Sequence, residues 1–204
     1  MKISQKILFF HVIFALFFAT SCVETVIVGA AATGVLTVRE KSFKSTQKDV
    51  VIASKLGKEF ISKGLKNPGN SIDISVNEGR VLLTGIARDP EKAKLASQLA
   101  WKVFGVKEVI DEIQIGEEAN LRAADFGRAF MDYLITLEIE TKLLFVSDAA
   151  TVNYKITTVN KTVYLLGLAN DNSEMQKVLT MVAKVIGVKK VVNHIILVDD
   201  SRRG

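Results

Sequence analysis

The residue best placed for chemistry is Cys22, the one cysteine in a chain of 204 residues, so no intramolecular disulfide can form. It closes the run Ala19-Thr20-Ser21-Cys22. Ahead of it, residues 7–18 are apolar except for His11, and Lys2 and Lys6 precede them. A short positive stretch, an apolar core and small residues at its end form the pattern of a secretory signal peptide. The apolar core is too short for a spanning helix, which needs about 20 such residues. Small residues directly before a cysteine match a lipobox, where the thiol is acylated and the chain is cut, although Ala19 stands where leucine is usual. We therefore expect a signal peptide over residues 1–21 and lipidation at Cys22. Val23 follows where an Asp would favour inner-membrane retention, so the expected location is the periplasmic face of the outer membrane. The competing readings are an ordinary signal peptide beside a free thiol, and an uncleaved anchor that takes in residues 2–38.

Catalysis finds no set of residues. His11 lies in the segment expected to leave, so the mature chain keeps one histidine, His194. No Cys–His pair, no metal-spaced cluster and no phosphate-binding G-x-x-x-x-G-K-[ST] run occurs. We expect no catalytic residue, no metal and no cofactor. The formal charge is +5, and it falls to +3 once Lys2 and Lys6 are removed. That excess is weaker and less clustered than a nucleic-acid footprint, so no nucleic acid is expected as a partner. It suffices for attraction to an anionic membrane if a lipid anchor already holds the chain there. Residues 23–38 stay largely apolar, with small residues at 29–34, and read as a tether or a surface contact rather than a span.

The elements that must position these residues come in duplicate. Val81-Leu82-Leu83-Thr84-Gly85-Ile86-Ala87 aligns with Val163-Tyr164-Leu165-Leu166-Gly167-Leu168-Ala169. Gly105-Val106-Lys107-Glu108-Val109-Ile110 aligns with Gly187-Val188-Lys189-Lys190-Val191-Val192. Both blocks are offset by 82, one register with no gap, which marks an internal repeat. In that register His194 answers to Glu112, a poor place for a general base, and it reads as a strand-surface residue.

Each copy opens with an amphipathic helix, about 47–63 in the first and 130–145 in the second. Asp49 and Asp132 stand at similar places near their starts. A hairpin follows, in which Ile72, Ile74 and Val76 alternate with polar residues before a turn at Glu78-Gly79; the second copy turns at Asn160-Lys161. Gly79 suits the positive φ of a tight hairpin, whereas Lys161 implies strain or another turn type. Asp89-Pro90 caps and starts a second helix, and Asp171 with Glu174 resembles a capping box. Val178, Leu179, Val182, Val185 and Ile186 form one apolar stripe on the counterpart helix. Gly105 and Gly187 are expected to end these helices in the C′ position. Last strands run over 107–115 and 189–198. The order α-β-β-α-β, twice, defines an α+β fold of two tandem modules. Each is a small mixed three-stranded sheet with two helices on one face.

A hydrophobic strand ending in Gly85, a capped helix, then Gly-Val-Lys-x-Val and a final apolar strand resembles the BON domain over nearly all of residues 46–199. The division that follows is a signal peptide 1–21, a lipidated tether 22–45, a first BON module 46–117, a linker 118–128, a second BON module 129–199 and a tail 200–204. With the lipobox, the pair of modules resembles outer-membrane lipoproteins that carry two BON domains. The resemblance implies a non-enzymatic protein that binds phospholipid and supports outer-membrane integrity, with the first helix of the second module on anionic lipid. Here that helix offers Tyr133 and Leu134 as lipid contacts, beside Ile135, Leu137 and Ile139. Asp132, Glu138 and Glu140 against Lys142 complement an anionic headgroup poorly, and Lys184, Lys189 and Lys190 read as a solvated face. The expected partners are the membrane, through an N-terminal acyl anchor, and anionic phospholipid. A rival reading is a periplasmic adaptor for an envelope-assembly protein or the cell wall, and a third is a soluble periplasmic protein without acylation.

Overall fold

The structure, a computed structural model, describes residues 33–67, 70–116, 123–146 and 153–203. Cys22 and the expected signal peptide lie outside the described residues. The chain divides into two units at Thr37 and Val38, and Val38–Gly204 holds both modules.

The first module consists of α1 (Thr33–Ser62), β1 (Lys66–Asn67), β2 (Asn70–Asn77), β3 (Arg80–Ala87), α2 (Pro90–Trp101), β4 (Glu108–Asp111) and β5 (Gln114–Ile115). The second consists of α3 (Ala123–Val146), β6 (Tyr154–Val159), β7 (Thr162–Ala169), α4 (Asn172–Ala183) and β8 (Lys190–Leu197). A 3₁₀ turn, Ser201–Arg203, follows. Both first helices begin earlier than their apolar periodicity marks, at Thr33 and Ala123 rather than near 47 and 130. Periodicity reports only the part of a helix that packs, and no proline stands in either extension to stop it.

The mixed sheets form as expected. β3 pairs antiparallel with β2 and parallel with β4 and β5, and β7 pairs antiparallel with β6 and parallel with β8. β1 adds a short antiparallel edge to β2. Arg80 opposes Glu108 and Thr162 opposes Lys190, so the two copies share one register across the crossover. Both turns have positive φ at their two central residues, Glu78 (52°) with Gly79 (81°) and Asn160 (51°) with Lys161 (64°). That is the type I′ geometry whose twist matches a hairpin. Lys161 therefore uses the same turn as Gly79. In each copy an aspartate on the first helix holds the turn: Asp49 accepts from the amides of Glu78 and Gly79, and Asp132 from those of Asn160 and Lys161.

Each helix pair covers one sheet face. In the first module Ile52, Leu56 and Phe60 of α1 and Ala96, Leu99 and Ala100 of α2 pack on Ile72, Val76, Val81 and Leu83. In the second, Ile135, Ile139 and Leu143 of α3 and Val178 and Val182 of α4 pack on Tyr154, Val163 and Leu165. The caps form as read. Asp89 accepts from the amide of Lys92, and Asp171 from that of Glu174. The Glu174 carboxylate accepts in turn from the amide of Asn170 and from the Tyr154 hydroxyl, at 2.9 and 2.7 Å.

The opposite sheet faces are buried too, against each other. Leu82, Val159, Tyr164 and Leu166 form a third core, joined by Ile86, Ile110 and Val192. Two side-chain contacts across this interface join residues in equivalent positions: Ser75 with Thr157 at 3.2 Å, and Glu112 with His194 at 3.0 Å. A residue that touches its own counterpart lies on a two-fold axis, so the modules meet as an approximate isologous pair. His194 is thus an interface residue rather than an open strand-surface one. Arg80, fully buried, donates to Glu108 within its module and to the His194 carbonyl across the interface. Arg203 makes a forked ion pair with Glu78, tying the end of the second module to the first module's turn.

One expectation fails at the helix ends. α2 and α4 stop at Trp101 and Ala183, with right-handed C-caps at Lys102 and Lys184. The backbone then tightens to i→i+3 bonds, Val103 to Ala100 and Val185 to Val182, for one further turn. Gly105 (φ 96°) and Gly187 (φ 95°) close that turn rather than sitting at C′. Ile186, expected in the apolar stripe, is instead 87% exposed, as its counterpart Phe104 is to 94%.

Candidate functional site

α3 is apolar on both sides. Its inner positions Ile135, Ile139 and Leu143 are buried, while Phe130, Met131, Tyr133, Leu134, Leu137, Leu144 and Phe145 are exposed. Tyr133 is 60% and Leu134 39% exposed, so both sequence candidates face outward, side by side. The counterpart helix α1 exposes Lys48, Lys55 and Lys58 together with Val50, Val51 and Ile61. Single exposed apolar residues are ordinary, but a run of them along one helix face of a well-packed module is not.

The acidic residues that counted against this helix are mostly engaged. Asp132 is buried, with both oxygens on turn amides. Glu138 pairs with Lys142 at 3.2 Å. Glu140 shares with Lys155 a groove of about 530 Å³ between α3 and β6. The basic complement comes from another element. A Cβ placed on Gly187 would lie 3.1 Å from Cδ1 of Ile135, so the α4–β8 loop abuts α3. That loop exposes Ile186 to 87%, flanked by the exposed Lys184, Lys189 and Lys190. Among the described residues none of these three lysines is paired with a carboxylate. Sequence reasoning placed Ile186 in the core stripe and the lysines on a solvated face. The available signal was the glycine that directly follows Ile186, which marks a tip.

Other titratable groups hold the fold. Burial, with Glu174 beside it, pushes the Tyr154 hydroxyl well above the usual tyrosine range. Burial raises the Asp49 carboxyl, against the opposing pull of the Gly79 and Glu78 amides. Among the described residues no group of three or more His, Cys, Asp or Glu could hold a metal ion, and no helix is long and apolar enough to cross a membrane.

A duplicated α+β module with a shared sheet interface, an outward apolar helix and a lysine-flanked tip defines a protein of two tandem domains. The BON domain model matches residues 48–117 and 132–199, and the chain belongs to the BON-domain family. It is 35% identical over 148 residues to an uncharacterized protein in the gshII 5' region of Anaplasma centrale, covering 72% of this chain and 93% of that one. It is 32% identical over 129 residues to the 21 kDa hemolysin of Actinobacillus pleuropneumoniae, covering 61% of this chain and 62% of that one. It is 26% identical over 180 residues to the outer membrane lipoprotein DolP of Haemophilus influenzae, covering 87% and 89%. Among solved structures, CdsD, a structural protein of the type III secretion system of Chlamydia trachomatis, is 18% identical over 69% of this chain and 61% of that one. The TM-score of that match is 0.30.

Proposed function

We propose that this protein is a lipid-anchored, non-catalytic protein of the periplasmic face of the outer membrane, where it binds anionic phospholipid and supports membrane integrity. Acylated Cys22 supplies the anchor. The observations that carry the lipid reading are the outward apolar face of α3 and the loop packed at Ile135 of the same helix, which exposes Ile186 and its lysines. Tyr133, Leu134 and Ile186 enter the headgroup–acyl boundary, and Lys184, Lys189 and Lys190 meet the phosphates. Apolar burial and charge attraction then add, as they do for interfacial helices. The similarity to an outer membrane lipoprotein supports the location.

Flotation of Val38–Gly204 with vesicles tests the lipid site apart from the anchor. Phosphatidylglycerol vesicles should carry the protein upward and pure phosphatidylcholine vesicles should not. Tyr133→Ser with Leu134→Ser should abolish the difference. Absence of flotation at every composition would remove the lipid-binding claim. Fatty-acid labelling tests the anchor: label that persists in Cys22→Ala would refute it.

A further inference from the structure

The first module carries a tip of the same construction that the reading above leaves unused. Phe104 is 94% exposed, and Trp101, the last residue of α2, is 57% exposed. Gly105 repeats the contact made by Gly187: a Cβ there would lie 3.4 Å from Cδ1 of Ile52 on α1. The tip therefore abuts the stretch of α1 on which Val50 and Val51 are exposed.

The charge around it is one-sided. Lys48 and Lys102 are exposed, and among the described residues neither is paired with a carboxylate. Among the described residues, three acids of the first module are engaged: Asp49 holds the amides of Glu78 and Gly79, Glu78 takes the Arg203 fork, and Glu108 pairs with Arg80.

Packing does not account for the tip. The pattern Lys-Val-apolar-Gly-Val-Lys recurs at 102–107 and 184–189, and the apolar residue points into water both times. The valines and glycine of the pattern serve the fold. A side chain as exposed as Phe104 does not, so its size and its flanking lysine call for something outside the chain.

We propose that the first module makes its own contact with an anionic bilayer, in which Trp101 and Phe104 enter the interface and Lys48 and Lys102 meet lipid phosphates. Amphipathic aromatic rings favour the headgroup level, and each exposed lysine there adds attraction to an anionic leaflet. The inference rests on the membrane reading above for its class of ligand, but on none of the residues of α3.

Trp101 is the one tryptophan in the chain, so its fluorescence reports on this tip directly. The intact lipidated chain is reconstituted by its anchor on vesicles of phosphatidylcholine, with and without phosphatidylglycerol. With phosphatidylglycerol, Trp101 emission should shift to the blue, be quenched by bromolipid and be shielded from iodide. On phosphatidylcholine alone it should stay open to iodide. Phe104→Ser with Lys102→Glu should weaken the shielding about tenfold in phosphatidylglycerol demand, the scale of one buried aromatic side chain. Tyr133→Ser with Leu134→Ser should leave it in place. Iodide access that is equal on both vesicles overturns the proposal, as does shielding that is present without vesicles. If α3-dependent flotation holds while Trp101 stays open to iodide, this inference falls and the α3 site stands.

Discussion

The backbone nitrogen of Lys161 lies 2.8 Å from Oδ1 of Asp132, and that bond holds a lysine at a φ of 64°. The other Asp132 oxygen takes the neighbouring amide of Asn160 at 2.7 Å, so one buried carboxylate pins a whole turn onto α3. Left-handed backbone costs an L-residue about 1–2 kcal/mol. Lys161→Gly should therefore stabilise the protein by about 1 kcal/mol. Asp132→Ala strands two turn amides and should destabilise it by about 2–3 kcal/mol. Urea denaturation of the two variants reads both, and equal midpoints would refute the pinning.

Gly85 and Gly57 should respond oppositely to alanine. At Gly85 φ is 99°, and an added Cβ would lie 1.9 Å from the Ser71 carbonyl oxygen, which β2–β3 pairing holds fixed. Gly85→Ala should give insoluble protein or no cooperative melt. Around Gly57, within α1, an added Cβ meets nothing within 4 Å. Gly57→Ala should raise stability by roughly 0.5–1 kcal/mol, the helix preference for alanine, as a higher Tm.

The interface core predicts one shared unfolding transition. Leu82 is buried between the two sheets, and Leu82→Ala should cost about 2–5 kcal/mol while leaving a single transition in both circular dichroism and Trp101 fluorescence. Two separated transitions in the wild type would show that the modules fold independently. Thr84, buried in the same strand, has a hydroxyl without a hydrogen-bond partner among the described residues, where the second copy places Leu166. Thr84→Val should be neutral or stabilising by about 1 kcal/mol.

Tyr154 sets an alkaline limit. Its hydroxyl donates to Glu174 at 2.7 Å, and burial with that carboxylate holds its pKa above the unfolded value. A raised folded pKa means that the stabilisation is fully present below the unfolded pKa, about 10, and is lost as pH rises toward the folded one. The urea midpoint should therefore fall above about pH 10. Tyr154→Phe should start lower at pH 8 and fall less; parallel curves for the two proteins would exclude Tyr154 as the cause.

The order of elements was legible because each rests on local chemistry: alternation at Ile72, Ile74 and Val76, caps at Asp89 and Asp171, and a repeat that doubled every signal. What was missed depends on contacts far apart in the chain. Nothing local to Arg80 marks it as buried, because the His194 carbonyl it donates to lies 114 residues away. Asp132 reads as a charge on an exposed face because its partners lie 28 and 29 residues away. The sheet interface did leave a mark in Val81-Leu82-Leu83, which does not alternate because both of its faces are covered. Ile186 fits the helical stripe by count but lies beyond the end of α4 at Ala183, where it is exposed.

Two identical single modules meeting through this interface would set each on-axis residue against itself. Glutamate would face glutamate, which repels, or histidine would face histidine. Carried on one polypeptide, the two positions are free to change separately, and Glu112 opposite His194 is a complementary pair that no symmetric dimer can contain. Two copies joined on one chain can therefore meet as distinct halves, each supplying what the other lacks at the shared axis.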